Sequence, residues 1–293
     1  MRRQILIIDN PAAGRRRSGE RRLGHFVSAL ERQGCCVVLR RAGSSMGEVE
    51  RLARDAEPVF DAIVVAGGDG SINAVVNGLA GRSVPIGVLP LGTANVLARE
   101  IGLPRDLEQL AALIASGPAR PIWPGRIGSR VFVMMTSAGF DSVIVAAIDP
   151  SLKGRAGWLA FAWTILIRLW RYRTCELTVC ADGIEHRAVT MIAAKGRHYA
   201  GPFIVAPDAK LSEPTLELVL LCRAGRLAIL RYAAALFLGF IPHLRDVTSL
   251  RAREAVVTGE PGLPVQADGE IVGHLPVAIG IADQPLFLIQ PQA

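Results

Sequence analysis

Lysine is nearly missing from this chain. Lys153, Lys195 and Lys210 are the only three among 33 basic residues, so the positive charge is almost entirely arginine. Aromatic residues make up 5%, and no stretch interleaves them with basic residues as a nucleic-acid groove does. With no reader motif either, a nucleic-acid partner is excluded. The five cysteines are Cys35, Cys36, Cys175, Cys180 and Cys222. Their odd count and the lack of any C-x-x-C exclude a disulfide framework and a zinc site, and imply reduced thiols in a cytoplasmic protein. No G-x-x-x-x-G-K-[ST] occurs, and no G-x-G-x-x-G follows the first apolar run, so a P-loop nucleotidase and a dinucleotide fingerprint are both absent. Long uncharged runs are missing too. Trp158–Ile167 ends at Arg168, and Tyr232–Ile241 is similarly short. Both read first as buried core helices and second as interfacial segments. The N-terminal MRRQILIIDNPAAG has too short an apolar run for a signal peptide and reads as a first strand.

The 293 residues are 51% hydrophobic with a net charge of +7, enough for a sizeable core. Arg15, Arg16, Arg17, Arg21 and Arg22 form the densest basic group, which suits either a solvated helix face or an anionic surface. The first third alternates strand and helix. Gln4–Asp9, Cys36–Arg40, Asp61–Ala66 and Pro85–Pro90 are apolar runs bounded by turn residues. Between them, Leu23, Phe26, Val27 and Leu30 recur at helical spacing after Ser18, an expected N-cap. Val49, Leu52 and Ala53, then Ile72, Val75, Val76 and Leu79, mark further helices, followed by a short one at Asn95–Ile101 and another at Asp106–Gly117. This rhythm predicts an open, mostly parallel sheet covered on both faces.

After Gly117 the pattern turns β-rich. Val131–Thr136, Glu176–Ala181, Val189–Ala194, Leu216–Leu221, Glu254–Thr258, Pro264–Asp268 and Pro276–Ile281 read as strands. Ala181-Asp182-Gly183 and Gly128-Ser129 supply turns. Helical patterns interrupt near Gly157–Tyr172 and Arg226–Ile241. Two domains are expected, an α/β domain over residues 1–120 and an antiparallel, sandwich-like one over 121–293.

Gly67, Gly68 and Gly70 follow a buried strand and open a helix, where the backbone can approach a ligand and the helix N-terminus offers free N–H donors. LPLGTAN (Leu89–Asn95) forms a second such corner, with Gly92 and Thr93. Asn10-Pro11-Ala12-Ala13-Gly14 forms a third. Three glycine-bearing loops at strand ends point to a phosphate ligand. Asp69, at the centre of the first, makes sense there if Mg²⁺ lies between it and the phosphates.

GGDGSINAVVNGLAG together with PLGTANVLARE resembles the diacylglycerol kinase catalytic domain, shared by bacterial lipid kinases and by sphingosine and ceramide kinases. IIDNPAAG resembles the family's opening nucleotide motif and VQADGEIVGHLPV its closing one; Gly139–Asp141 and KGRAG (Lys153–Gly157) match weaker motifs between. The resemblance implies an N-terminal domain like that of NAD kinases and phosphofructokinases, a β-rich second domain, ATP and Mg²⁺ in an interdomain cleft, and a tail after about residue 274 that packs on the first domain. It implies transfer of the ATP γ-phosphate to a lipid hydroxyl. By this resemblance Asn10, Pro11, Gly67, Gly68, Gly70, Ser71, Gly92 and Thr93 bind nucleotide, Lys153 and Arg155 add charge near the γ-phosphate, and Asp141 faces the lipid headgroup. Asp69 holds the metal or takes the hydroxyl proton. Glu270, with its longer side chain, is the favoured base, and Asp268 is a supporting contact at the same site. An anionic membrane surface at the inner face is the implied partner, and a homodimer is compatible with the family.

The chain departs from the family in three places. Val96 replaces an Asp after the Asn of the second corner. Ser212 and Glu213 stand where many bacterial members carry paired aspartates holding a structural metal. RRAGSS (Arg40–Ser45) lacks a nucleotide-binding Thr, leaving Ser44 or Ser45. The alternatives are an NAD-kinase-like or phosphofructokinase-like enzyme, or a non-catalytic lipid- or nucleotide-binding regulator. The identity of the lipid stays open.

Overall fold

The computed structural model describes residues 3–11, 16–43, 45–147 and 175–292, without the side chains of Arg16 and Arg17. Arg15, Ser44, Lys153, Arg155, the KGRAG stretch and the helical pattern at Gly157–Tyr172 lie outside these residues. The chain divides into two compact units, Met1–Ile122 with Gln284–Ala293, and Trp123–Asp283.

In the first unit, β1 (Gln4–Asp9), α1 (Arg16–Arg32), β2 (Cys36–Arg41), α2 (Met46–Arg54), β3 (Ala62–Gly67), α3 (Asp69–Gly78) and β4 (Ile86–Pro90) alternate. β1 is apolar between its end residues Gln4 and Asp9, and β3 is apolar throughout, because both lie inside the sheet and are covered on both faces. Burying each of Ile5, Leu6, Ile7 and Ile8 contributes about 1.5–3 kcal/mol. Leu23, Phe26 and Leu30 of α1 pack with Ile5, Ile7 and Val64, joined by Leu110 and Ile114 of α5 (Leu107–Ser116). On the sheet's other side α2 and α3 pack together. Ser45 caps α2 by accepting the Glu48 amide at 3.3 Å. Ser18 does not cap α1, which already begins at Arg16. Five of the sheet's strands run in the order β2-β1-β3-β4-β20, with β20 (Leu286–Ile289) parallel to β4. β5 (Ala119–Ile122) closes the edge antiparallel to β20. Pro121 is tolerated there because the outer side of an edge strand needs no donor. The connection from β1 goes outward to β2, then crosses back to β3 and β4. The β1/β3 pair is therefore the topological switch point, where the strand ends leave a crevice.

Besides a two-stranded sheet, β12 (His198–Tyr199) with β13 (Phe203–Ile204), the second unit holds two six-stranded antiparallel sheets. One contains β10 (Ile184–Ala188), β9 (Leu177–Ala181), β16 (Ala255–Thr258), β19 (Val277–Ile281), β6 (Gly125–Ile127) and β7 (Arg130–Phe132). The other contains β15 (Val247–Ala252), β14 (Leu216–Leu221), β11 (Thr190–Ala194), β8 (Met135–Gly139), β17 (Pro264–Ala267) and β18 (Glu270–His274). Phe132, Leu177, Val179, Val257 and Ile279 of the first meet Met191, Leu216, Leu218, Leu220 and Val265 of the second in one core, which makes a sandwich. Val277–Ile281 still pairs with β16 and β6 inside this unit, so the segment grouped with the first unit begins at Gln284.

Val131–Thr136, expected as one strand, is two. The chain leaves the first sheet after Phe132 and enters the second at Met135. Val133 and Met134 at the crossing are buried, so their amides need partners inside the protein. The Asp268 carboxylate provides them, accepting from the backbone N–H of Val133 (2.7 Å), Met134 (2.9 Å) and Met135 (3.0 Å).

α7 (Arg226–Phe237) also differs from expectation. Ala228, Ile229, Tyr232 and Ala235 are buried, but Leu227, Phe237, Leu238 and Phe240 are exposed, so this is not a core helix. Among the described residues no helix is long and apolar enough to cross a membrane. None of the five cysteines forms a disulfide.

Candidate active site

Two of the glycine-bearing corners of the first unit meet beside the switch point. Asn10 follows β1, is buried, and donates from Nδ2 to Ser71 Oγ at 2.8 Å. Its own amide reaches Ala66 O of β3 at 3.0 Å, tying the two strand ends together. Gly67 ends β3, Gly68 is the N-cap of α3, and Asp69, Gly70 and Ser71 form its first turn, where backbone amides lack helical partners. The second corner lies directly against the first: Leu91 N donates to Gly67 O at 2.9 Å. A Cβ on Gly92 would sit 2.5 Å from the Gly68 Cα, so only a residue without a side chain fits that approach. Asp69 joins both corners, accepting the Leu97 amide of α4 (Val96–Glu100) on Oδ1 at 3.2 Å.

Asn10, Gly67, Gly68, Asp69, Gly70, Ser71 and Gly92 are thus brought together. Pro11 is half-buried beside Asn10, and Thr93 is exposed just past Gly92. Two residues here were not anticipated from sequence. Asn95 adopts a left-handed backbone (φ 45°) and donates to Gly92 O at 2.8 Å, while its Oδ1 is buried without a partner. An orphaned acceptor of this kind is one that a bound water or a ligand donor satisfies. Asp9 is buried beside Asn10 and pairs with Arg41 at 3.3 Å. Burial pushes its carboxyl above the usual range, Arg41 pulls it back, and Glu20 adds to the rise. A charged residue closing an otherwise apolar strand was the available signal.

The donor set fits a magnesium nucleotide better than a caged metal. Among the described residues no group of three or more His, Cys, Asp and Glu converges. Magnesium bound through phosphates and waters needs only one or two carboxylates, and Asp69 supplies one beside the amide-rich corners.

In the second unit Gly139 (φ 111°) turns β8 into α6 (Phe140–Ala147), where a Cβ would meet Val189 O at 2.5 Å. The turn delivers Asp141 to the floor of an apolar pocket of about 760 Å³, counting the part open to solvent. Ile144, Ile192, Val205, Leu221, Ile229 and Leu236 are among its walls, with Thr190 also in the lining and Tyr199 on the carboxylate. Asp141 accepts from Ser137 Oγ, from Tyr199 OH and from Gln266 Nε2 (3.2 Å). Burial raises its pKa above the carboxylate range, opposed by those three hydrogen bonds. The Tyr199 phenol is pushed well up, by burial and then by Asp141. An ionised carboxylate has about four lone-pair positions, so three donors leave one open. Gln266 extends the network, its Oε1 accepting the Gly269 amide at 2.9 Å. It therefore links Asp141 to the turn that carries Asp268 and Glu270.

That turn uses Asp268 (φ 48°) and Gly269 (φ 87°) between β17 and β18. With three amides on its carboxylate, Asp268 pins the sheet crossing to the turn. Glu270, first in β18, is exposed. Tyr199, Ser137 and Gln266 were not picked out in sequence, because nothing local marks residues scattered over three strands as one cluster.

The loop that carries Ser212 and Glu213 surrounds a buried ammonium. Lys195 is fully buried, and its Nζ donates to the backbone carbonyls of Lys210 (3.3 Å), Glu213 and Thr215 (2.8 Å). Three carbonyls match the three donors of an ammonium. Burial pulls its pKa down to about 8, with Glu213 opposing. The Glu213 side chain is occupied with Lys210 at 2.7 Å and Arg251 at 3.4 Å.

A parallel-sheet unit with two abutting glycine corners, joined in one chain to a sandwich with an acid-tipped apolar pocket, defines a class of two-unit α/β-plus-β protein. Residues 4–127 match the family model described as the diacylglycerol kinase catalytic domain, and residues 134–290 match that of the YegS C-terminal NAD kinase beta sandwich-like domain. The chain belongs to the diacylglycerol kinase catalytic-domain family. It is 28% identical over 298 residues to a protein named diacylglycerol kinase from Mycobacterium tuberculosis, covering 99% of this chain and 96% of that one. It is 29% identical over 278 residues to one so named from Bacillus subtilis, covering 92% and 90%. A crystal structure of a diacylglycerol kinase from Bacillus anthracis shares the fold with a TM-score of 0.78 at 21% identity, over 99% of this chain and 97% of that chain.

Proposed function

We propose that the protein is an ATP-dependent lipid kinase that transfers the γ-phosphoryl group to a primary hydroxyl of an amphiphile such as diacylglycerol, a sphingoid base or ceramide. The observation that carries this reading is the second unit's pocket, whose apolar walls close on one carboxylate with an acceptor position left. That is the shape of a site for an acyl chain ending in a hydroxyl. A small polar substrate such as NAD or a sugar phosphate has no use for such walls.

Bound MgATP supplies the transferable phosphoryl group and the charge that neutralises it. The chain's own residues do the rest. Amides at the start of α3 donate to anionic oxygens, Asn10 and Ser71 hold the corner's shape, and Asp69 orients the cation's ligands. Asp141 accepts the lipid hydroxyl hydrogen bond and positions the headgroup. Glu270 takes the hydroxyl proton onto its carboxylate as the new O–P bond forms and the bond from the γ-phosphorus to the bridging oxygen breaks, with ADP as the leaving group, and Asp268 fixes the turn that carries Glu270. Lys153 and Arg155 are proposed to add positive charge. The enzyme is proposed to act at the inner face of the membrane as a peripheral protein.

The test is a panel of diacylglycerol, sphingosine, ceramide and phosphatidylglycerol with labelled ATP, with products separated by chromatography and identified by mass spectrometry. Magnesium-dependent phosphorylation of one class is expected. Phosphorylation of NAD or a sugar phosphate with none of any lipid would overturn the reading. ATP binding without turnover on any acceptor would point to a binding protein instead.

A further inference from the structure

Helix α7 has two apolar sides. Ile229, Tyr232 and Leu236 line the pocket. Leu227, Leu230, Ala234, Phe237 and Leu238, spaced i, i+3, i+7, i+10 and i+11, form a second stripe that faces outward. Leu227 is 83% exposed, Leu238 74%, and Phe240 just beyond the helix 61%. Single exposed leucines are ordinary, but a continuous stripe about 16 Å long marks an interaction surface.

The charge around it identifies what it meets. Residues 222–245 contain four arginines, Arg223, Arg226, Arg231 and Arg245, and no acidic residue. All four are exposed, with Arg231 paired to Asp246. An apolar stripe flanked by arginines suits an anionic bilayer interface, where the aliphatic side sinks to the acyl boundary and guanidinium groups remain among phosphates. A second copy of the chain would bring the same positive face and be repelled.

We propose that this outer side of α7, continued by Leu238 and Phe240, docks the protein in the interface of an anionic membrane, so that the helix lining the pocket lies where substrate lipids reside. The proposal rests on the lipid-kinase reading for its purpose, but it is measured without turnover. The experiment is flotation with vesicles of phosphatidylcholine alone or mixed with phosphatidylglycerol, without ATP. Wild type should float with the anionic vesicles. The triple variant Leu227→Ser, Leu238→Ser, Phe240→Ser should partition about 10-fold less or weaker while keeping its thermal melt. Separately, Leu238→Trp should show added fluorescence quenched by lipids brominated on their acyl chains. Failure of wild type to float, equal flotation of the triple variant, or an unquenched Trp on a floating protein would overturn the proposal. So would a dimer that dissociates on substitution. Loss of flotation in the variant together with no phosphorylation of any lipid by wild type would support docking and remove the kinase reading.

Discussion

The two units build their candidate ligand surfaces from different parts of the chain. In the first, the candidate surface is mostly backbone: strand ends at the switch point, the first turn of α3, and Gly68 against Gly92 with no room for a Cβ. In the second it is side chains: an apolar wall from α6, β11, β14 and α7, and a carboxylate held by Ser137, Tyr199 and Gln266. Under the proposed function the contrast has a physical reason. A triphosphate is identical in every turnover and is matched by amides whose positions a parallel sheet sets. Lipids differ in headgroup and chain, and side chains are what can be varied without changing the sheet.

The sharpest way to break the contrast is at Glu270, a side chain proposed to act on the acceptor alone. Glu270→Gln should lower kcat by about 10²–10⁴-fold with nucleotide affinity intact, whereas Asp69→Asn should also shift the magnesium dependence. Steady-state kinetics over a magnesium titration, with nucleotide binding measured separately, checks both. A magnesium shift in Glu270→Gln but not in Asp69→Asn would reverse the roles.

Next in size is the backbone side. Gly92→Val forces the two corners apart and should weaken nucleotide affinity by about 10²-fold. Gly102→Val, at a helix end with open space and φ 64°, should cost stability but leave affinity within about 3-fold, since the strained residue makes no close approach. Calorimetric binding on the folded variants decides, and equal losses would contradict the placement of the second corner.

Smaller effects sharpen the second unit. Lys195→Met takes the ammonium away from three inward carbonyls, of which Lys210 O keeps the Glu213 amide, and should cost about 2–4 kcal/mol in denaturant unfolding. A loss under about 0.5 kcal/mol would show that water replaces the ammonium without cost. Asp141 gives the subtlest test. Its folded pKa is raised, so its contribution to stability is intact below the ordinary value near 3.8 and is lost as pH rises through the folded value. Asp141→Asn removes that loss. The variant should melt higher than wild type at pH 7, with the gain shrinking towards pH 4, and should turn over poorly. A gain that grows on acidification would show the opposite sign.

Elements buried on both faces were the most legible in sequence. β1 and β14 occupy the expected Gln4–Asp9 and Leu216–Leu221, because largely apolar runs, broken in β14 only by Glu217, end at turn residues or charge. Asp106 and Gly117 bracket α5 as expected, since capping chemistry is local. Val131–Thr136 was misread as one strand because an apolar run carries no mark of where it changes sheets; that depends on Asp268, more than 130 residues away. The short β5 and β20 went unseen, as four residues have too little pattern and their pairing joins distant parts of the chain. The Tyr232–Ile241 stretch was expected first in the core because its composition is apolar, but α7 shows apolar residues on two sides and only one side can face the sheet.

The sequence by itself determined the alternation that builds the parallel sheet, the glycine corners, the tight turn at Asp182-Gly183 and the family resemblance. All of these reside in a few consecutive residues and their backbone preferences. The tertiary structure alone decided that Asp268 binds three amides, that Ser137, Tyr199 and Gln266 converge on Asp141, and that Lys195 fills a carbonyl cradle in the loop of Ser212 and Glu213. Each of those depends on hydrogen bonds between segments far apart in the chain, made where burial leaves a polar group no water to turn to.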